Sequence, residues 1–307
     1  MAHDASRPFV VDASGQTITA LGTEFDVHIG SGETRVTLVE GGEHLLSREE
    51  PFAGEEVAEA LRGRFGVDVR TGTTAKRVSR GEDGIAVALD DGGEAVGEEL
   101  LIAVGRAPRS GEIGLDSAAV APSEHGFLET DDRLRVGGRD WLYAIGDVNG
   151  RALFTHTGKY QAWVAAENLL GRDVEAIAEG LGSPRVTFTD PQVAATGLTL
   201  AAARDAGIDA IAVEAPTDGS AGASFQGKDT GGTSRLVIDR DKDTIVGATF
   251  TGFETADFLQ AATVAIVGEV PLSRLRHAVP PYPARSEIWL KLLESWEATA
   301  TDRSRSE

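Results

Sequence analysis

The chain contains no cysteine and one methionine in 307 residues. A structural disulfide, a thiolate metal site and a thiol nucleophile are therefore excluded from this polypeptide. Aromatics are sparse, with three tyrosines and four tryptophans. No run approaches the roughly 18 to 20 consecutive apolar residues of a membrane span, and Met1 to Val11 has neither a basic flank nor an apolar signal core, so a cytoplasmic location is the expectation. Basic residues are outnumbered, 29 against 49 acidic ones, for a formal charge of −20. Such a surface repels nucleic-acid backbones and anionic lipid heads. The six histidines are scattered from His3 to His277 without metal-ligand spacing, which argues against a zinc site. Arg greatly outnumbers Lys, a bias that carries no function by itself.

What is present is a chain long enough for more than one folding unit, with 41% apolar residues. Arg35 to Glu40 reads as a short apolar strand closed by an acid. Glu55 to Phe65 follows with helical spacing through Val57, Ala60, Leu61 and Phe65, and Val67 to Val69 reads as a second strand. Ala75 to Val78 and Ile85 to Leu89 alternate like a small antiparallel sheet turned at Asp91-Gly92-Gly93. Leu100 to Val104 is predicted as an apolar strand that ends at Gly105.

A second block opens with a predicted buried strand, Trp141 to Ile145, stopping at Gly146-Asp147, before a helix from Lys159 to Leu170 ended by Gly171. From Pro184 the pattern changes to alternating strands, at Arg185 to Phe188, Ile211 to Glu214, Ser234 to Asp239 and Ile245 to Phe250. Helices are predicted at Thr199 to Ala206, Glu254 to Val267 and Ile288 to Ser295. This is an α+β layer distinct from what precedes it. Residues 1–34 interrupt every apolar run with Gly, Ser, Thr and Asp and stay unassigned.

Three constellations could carry chemistry. Glu40, at a strand end, is placed to accept the ribose hydroxyls of a dinucleotide and to repel the extra phosphate of NADP; as a plain strand terminus it would simply face solvent. A phosphate loop should lie about 20 residues earlier, and Val10 to Gly15 offers none. Gly146 permits close backbone approach, and Asp147 leaves the strand end able to bind sugar or ribitol hydroxyls, or else to cap a helix. Thr155 to Ala162 then brings the amide groups of a helix start near that acid. Last, Tyr282 and Glu287 flank prolines ahead of a terminal helix.

In order, the segments RVTLVEGGEHLL (35–46), LIAVGRAPR (101–109), LYAIGDV with FTHTGKYQA (142–148 and 154–162), and VTFTDPQVAATGL with VPPYPARSE (186–198 and 279–287) resemble the pyridine nucleotide-disulfide oxidoreductases. This is the family of dihydrolipoyl dehydrogenase, mercuric reductase and glutathione reductase, and the likeness runs from Arg35 to Glu297. It implies an α/β, Rossmann-like but incomplete nucleotide-binding region followed by an α+β dimerisation domain. Residues 35–107 would be a partial NAD domain, 108–183 the carboxy-terminal part of an FAD domain and 184–307 the dimerisation domain. It further implies FAD and NAD as cofactors, with Asp147 on the FAD ribitol, Thr155 and His156 facing the flavin, Gly105 and Gly146 lining the cofactor, and Glu40 on the NAD ribose. Tyr282 and Glu287 would reach across a homodimer interface, or a dimer with a full-length relative.

The departures from the family are equally specific. Its first Gly-rich FAD loop and redox cysteines lie ahead of the matching region, so an amino-terminally truncated member is the expectation. Tyr282 stands where the dihydrolipoyl and glutathione branches place histidine. A phenol titrating near about 10 is a poorer base at neutral pH than an imidazole near about 6.5. The resemblance thus favours hydride passing from NADH to flavin and on to a non-dithiol acceptor such as a quinone or oxygen. The rival is a catalytically silent dimerisation fragment, and a simple NAD-binding module would rest on Glu40 alone.

Overall fold

The computed structural model describes residues 9–13, 16–21, 24–25, 35–82, 84–227 and 231–304. Within the segment left unassigned by sequence, β1 (Phe9–Ala13), β2 (Gln16–Leu21) and β3 (Glu24–Phe25) pair antiparallel in that order.

β4 (Thr37–Val39), α1 (Pro51–Gly63) and β5 (Asp68–Arg70) form a strand–helix–strand unit whose two strands pair in parallel. α1 starts because Pro51 occupies its first turn, where a missing N–H costs nothing. Its apolar stripe, with Val57 and Ala58, packs on Val67 and Val69, and Val193 of the later sheet joins the same cluster. The predicted small antiparallel sheet contains β6 (Ala75–Gly81) and β7 (Gly84–Leu89), and a third strand that the sequence reading did not name, β8 (Glu94–Gly97), pairs with β7; β7 alternates half-buried and buried residues along its length.

The carboxy-terminal layer is a five-stranded antiparallel sheet built from β9 (Arg185–Thr187), β10 (Gln192–Gly197), β11 (Ala210–Pro216), β12 (Thr233–Asp239) and β13 (Thr244–Gly252), in the order β11-β12-β13-β10-β9. α5 (Ala256–Val267) and α7 (Ile288–Ser304) cover it, with the short α6 (Leu272–Leu275) between them in sequence. Phe250, Leu236, Ile238, Ile245, Ile288 and Leu292 are all within 2% of full burial. Phe250 meets Phe258 edge-on at 5.7 Å and Trp289 at 5.9 Å.

Residues up to Leu101 and from Pro184 onward belong to one unit, and Ile102–Ser183 form the other. In the first unit the entry to α1 is fastened to the sheet by three acids. Glu49 takes both Nε and Nη2 of Arg185 at 2.8 and 3.0 Å. Glu50, 2% exposed, takes Arg235 Nη1 at 2.6 Å and the backbone N–H of Leu200 at 2.8 Å. That N–H opens α4 (Leu200–Asp205), so the carboxylate also meets the positive end of a helix. Glu56 accepts from Thr233 Oγ1 at 2.6 Å and from Thr251 Oγ1. The Arg235 guanidinium lies over the Phe52 ring, 4.7 Å from its centre.

The second unit, residues 102–183, contains α2 (Thr155–Leu169) and the short α3 (Ala178–Leu181), with little strand structure. Two expectations are corrected here. Leu100 to Val104 forms no strand, and Ile102 and Val104 are 70% and 92% exposed. The only parallel pair among the described residues is β4–β5, so this apolar run finds no ladder to join. Trp141 to Ile145 is likewise extended but not a buried strand. Tyr143 makes a single bridge to Arg135, only Ala144 is buried, and Trp141 is exposed. α2 begins at Thr155, four residues earlier than predicted.

Removing one partner of a buried ion pair strands the other charge, at a cost of about 3–5 kcal/mol. Arg235→Ala is expected to destabilise the first unit by about that amount in urea unfolding. Arg64→Ala, which breaks an exposed pair with Asp190, is expected to cost under about 1 kcal/mol.

Candidate functional site

The 3-10 turn Gly146–Asn149 lies against α2 in the second unit, and this pairing brings most of the sequence-predicted site residues together. Gly146 has φ +74°, a left-handed conformation that favours glycine, and open space faces its α-carbon. Behind it, a β-carbon on Gly158 would come within 3.3 Å of the Gly146 Cα, so glycine at 158 lets the helix approach the turn. The Gly146 N–H donates to Gln161 Oε1 at 2.6 Å. Asp147 projects a carboxylate that is 56% exposed and takes Arg106 Nη1 at 3.1 Å. The same nitrogen donates to the Leu153 carbonyl at 2.9 Å. Gly105, next to Arg106, is exposed with φ +131° and nothing within 4 Å of a built β-carbon.

Thr155 and His156 occupy the first turn of α2, where backbone amides lack intrahelical acceptors. The N-cap residue, Phe154, supplies no side-chain acceptor, and its ring stacks on His156 at 5.2 Å. An exposed acid, an open glycine turn and a helix amino-terminus therefore share one unit. Together they can accept hydrogen bonds from a polyol and present positive dipole to an electron-rich group.

The remaining predicted residues lie in the first unit and, Tyr282 and Glu287 apart, do not come together. Glu40 follows β4, with its N–H bonded to the Arg70 carbonyl at 2.9 Å. Its Oε1 turns back onto the Gly42 N–H at 2.7 Å. Tyr282, 78% exposed, and Glu287 line a cavity of about 200 Å³ with Arg276, Val279, Pro280 and Leu290. Glu287 Oε2 is buried there without a hydrogen-bond partner among the described residues. No cluster of His, Asp or Glu suited to a metal occurs among the described residues.

Sequence reasoning missed Arg106, Asn149 and Gln161, although Arg106 and Gln161 lie inside the motifs it quoted. Asn149 and Gln161 are buried, and a buried polar side chain leaves no mark in hydrophobic periodicity, because its position is set by partners distant in sequence.

A family model described as pyridine nucleotide-disulphide oxidoreductase matches residues 17–168, and the same family's dimerisation-domain model matches residues 183–293. The chain belongs to the pyridine nucleotide-disulphide oxidoreductase family. The match opens at residue 17, inside the segment that the sequence left unassigned.

Dihydrolipoyl dehydrogenase of Bacillus subtilis (strain 168) is 27% identical over 277 residues, covering 89% of this chain and 58% of the relative. That of Mycobacterium tuberculosis (strain ATCC 25618 / H37Rv) is 31% identical over 290 residues, covering 94% and 61%. The chain thus spans about three-fifths of the length of these relatives. Among solved structures, the HOCl-induced flavoprotein disulfide reductase RclA from Escherichia coli superposes with a TM-score of 0.75 at 25% identity, covering 85% of this chain and 59% of that one. LpdA from Mycobacterium tuberculosis does so with 0.77 at 22%, covering 85% and 56%, a likeness of fold. A Rossmann-like region followed by a dimerisation domain is the architecture of this family member.

Near the site, burial pushes the Asp131 carboxyl up, but the amide and guanidinium of Arg135 and the amide of Arg133 outweigh it. The group ends below its ordinary value. A depressed folded-state pKa contributes stability above the unfolded value of about 3.9 and loses it as pH falls through the folded one. The midpoint of thermal unfolding is therefore expected to fall more steeply below about pH 4 in the parent than in Asp131→Asn. Equal slopes would show that Asp131 makes no such contribution.

Proposed function

We propose that this chain carries the ribitol-side turn and flavin-edge helix of an FAD- and NAD(P)-dependent oxidoreductase that passes hydride from NADH through flavin to a non-dithiol acceptor. One observation carries the reading: Gly146, Asp147 and the amino-terminal turn of α2 meet within one unit, with the carboxylate exposed and the space before Gly146 open. These features suit the ribitol and ring of FAD. Asp147 would accept from ribitol hydroxyls, and the backbone at Thr155 and His156 would face the ring, with Gly105 and Gly146 leaving room for the cofactor. Glu40 would hold the NAD ribose, a carboxylate there favouring NAD over NADP. Flavin, when bound, supplies the hydride chemistry that no side chain offers.

The acceptor reading draws on a phenol, Tyr282, beside Glu287 at the proposed dimer-facing site. A cytoplasmic homodimer, or a dimer with a longer relative, is the assembly we propose for it. No described helix is long and apolar enough to cross a membrane.

A second reading, a catalytically silent dimerisation scaffold, draws on a different observation. The five-stranded sheet has a full core under α5 and α7, whereas the nucleotide strand pair has two members among the described residues.

Titrating FAD into the purified chain, followed by the visible flavin band and by ultrafiltration, separates the two readings. Stoichiometric bound flavin that NADH bleaches is expected, with oxygen or a quinone restoring the colour. Asp147→Ala removes charge-assisted hydrogen bonds of about 1.5–3 kcal/mol and is expected to weaken FAD binding by about 10- to 100-fold. If the parent chain retains no flavin at saturating FAD yet elutes as a dimer, the oxidoreductase reading fails and the scaffold reading stands.

A further inference from the structure

Beneath the Gly146 turn runs a closed chain of buried polar groups. Gln161 is fully buried, at 0% exposure. The Gly146 N–H can only donate, so the Gln161 atom facing it is the carbonyl oxygen, Oε1. The same oxygen takes Asn149 Nδ2 at 3.0 Å, and the other Asn149 Nδ2 hydrogen goes to the Ala144 carbonyl at 3.1 Å. Asn149 Oδ1 in turn accepts the Arg151 N–H at 3.0 Å. Gln161 Nε2 then donates to Glu179 on α3, whose side chain is 7% exposed. Glu179 also takes Arg151 Nε, and Arg151 Nη1 is tied to the Asp131 carbonyl at 3.0 Å. The orientation of the Gln161 amide is fixed from both ends, by an obligatory donor on one side and a carboxylate on the other.

Gln161 and Gly158 lie three residues apart on one face of α2, the face that rests on the turn. A single helix therefore supplies the amide terminus of the site, the glycine contact and the bond that holds the left-handed Gly146. Asp147, the next residue, goes wherever that turn is held. We infer that Gln161, backed by Glu179 and Arg151, is a positioning residue that sets Asp147 against the amino-terminal turn of α2. Flavin affinity is then governed by a buried amide that makes no flavin contact. The inference rests on the flavin reading for its consequence, and on hydrogen bonds alone for its geometry.

The test uses the full chain and two readouts. The first, without FAD, is amide hydrogen exchange at Gly146 by NMR; the second is the FAD dissociation constant. Gln161→Glu sets two carboxylates face to face across the link to Glu179. It is expected to speed Gly146 exchange and weaken FAD binding, each about tenfold. The exchange-of-roles variant Gln161→Glu with Glu179→Gln restores a complementary set. The carboxylate now on α2 accepts from Gly146, Asn149 and the amide introduced on α3, whose oxygen takes Arg151. It is expected to return both readouts to within about threefold of the parent. A variant that merely repairs or loses bulk stability would move all amides of the unit together, whereas the positioning role moves Gly146 first. Unchanged Gly146 exchange in folded Gln161→Glu, or a double variant no better than the single, overturns the inference. Should Gln161→Glu fail to fold, recovery of parental Gly146 protection in the double variant supports the inference and its absence overturns it. If the parent takes up no FAD, the flavin reading fails, while the exchange arm still decides whether Gln161 holds the turn.

Discussion

Glu50 is nearly sealed from water, and its carboxylate is met by a guanidinium and by the first amide of a helix. A charge so placed tolerates few alternative geometries, because the desolvation cost is repaid only when every partner is in position. The entry to α1 is thereby fixed against β12 and α4, and β4 and β5 follow, since α1 packs on both through Val57 and its neighbours. Glu49 and Glu56 repeat the arrangement on either side. The strand end that delivers Glu40 is held in this way by acids about ten to sixteen residues further along the chain. A net charge of −20 is thus no uniform coat: some of the acids are structural members with named cationic or hydroxyl partners.

The second unit is organised differently. Its two small apolar clusters, around Leu128 and Val136 and around Leu134 and Val164, are modest beside the core under the five-stranded sheet. Buried amides carry much of the specification instead. A low-dielectric interior makes unpaired polar groups costly, and each side-chain nitrogen and oxygen in the set from Asn149 through Gln161, Glu179 and Arg151 has a partner.

What the sequence reveals follows from how each residue is held. The strand–helix–strand unit, β7 and β11 were legible, because one face of each is wet and periodicity records it, and β12 and β13 were legible although both are buried along most of their length. β10 escaped: Val193, Ala194, Ala195 and Thr196 are all buried, so no alternation marks the strand. Leu100 to Val104 misled in the opposite sense, being apolar enough for a strand yet without a neighbouring ladder. At the site, Gly146 and Asp147 were legible from a glycine–acid pair after an apolar run. Gln161 was not, since a glutamine in a helix reads as surface until its partners, Gly146 and Glu179, are known.

The two bonds that bracket Gly146–Asp147 differ in a way that bears on ligand capture. Asp147 meets Arg106 in the open, with more than a third of each side chain in solvent, and exposed pairs of this kind contribute about 0–1 kcal/mol. Polyol hydroxyls can compete for that carboxylate at little cost. The Gly146–Gln161 bond ends on a buried side chain, and breaking it would strand the Gly146 donor at about 1–3 kcal/mol, while Gln161 Oε1 would keep Asn149. Under the flavin reading proposed above, a ligand arriving at the turn would displace the arginine and leave the backbone where it is. A site with a firm base and a releasable carboxylate needs little rearrangement of the main chain to bind, which keeps the ordering cost of association low.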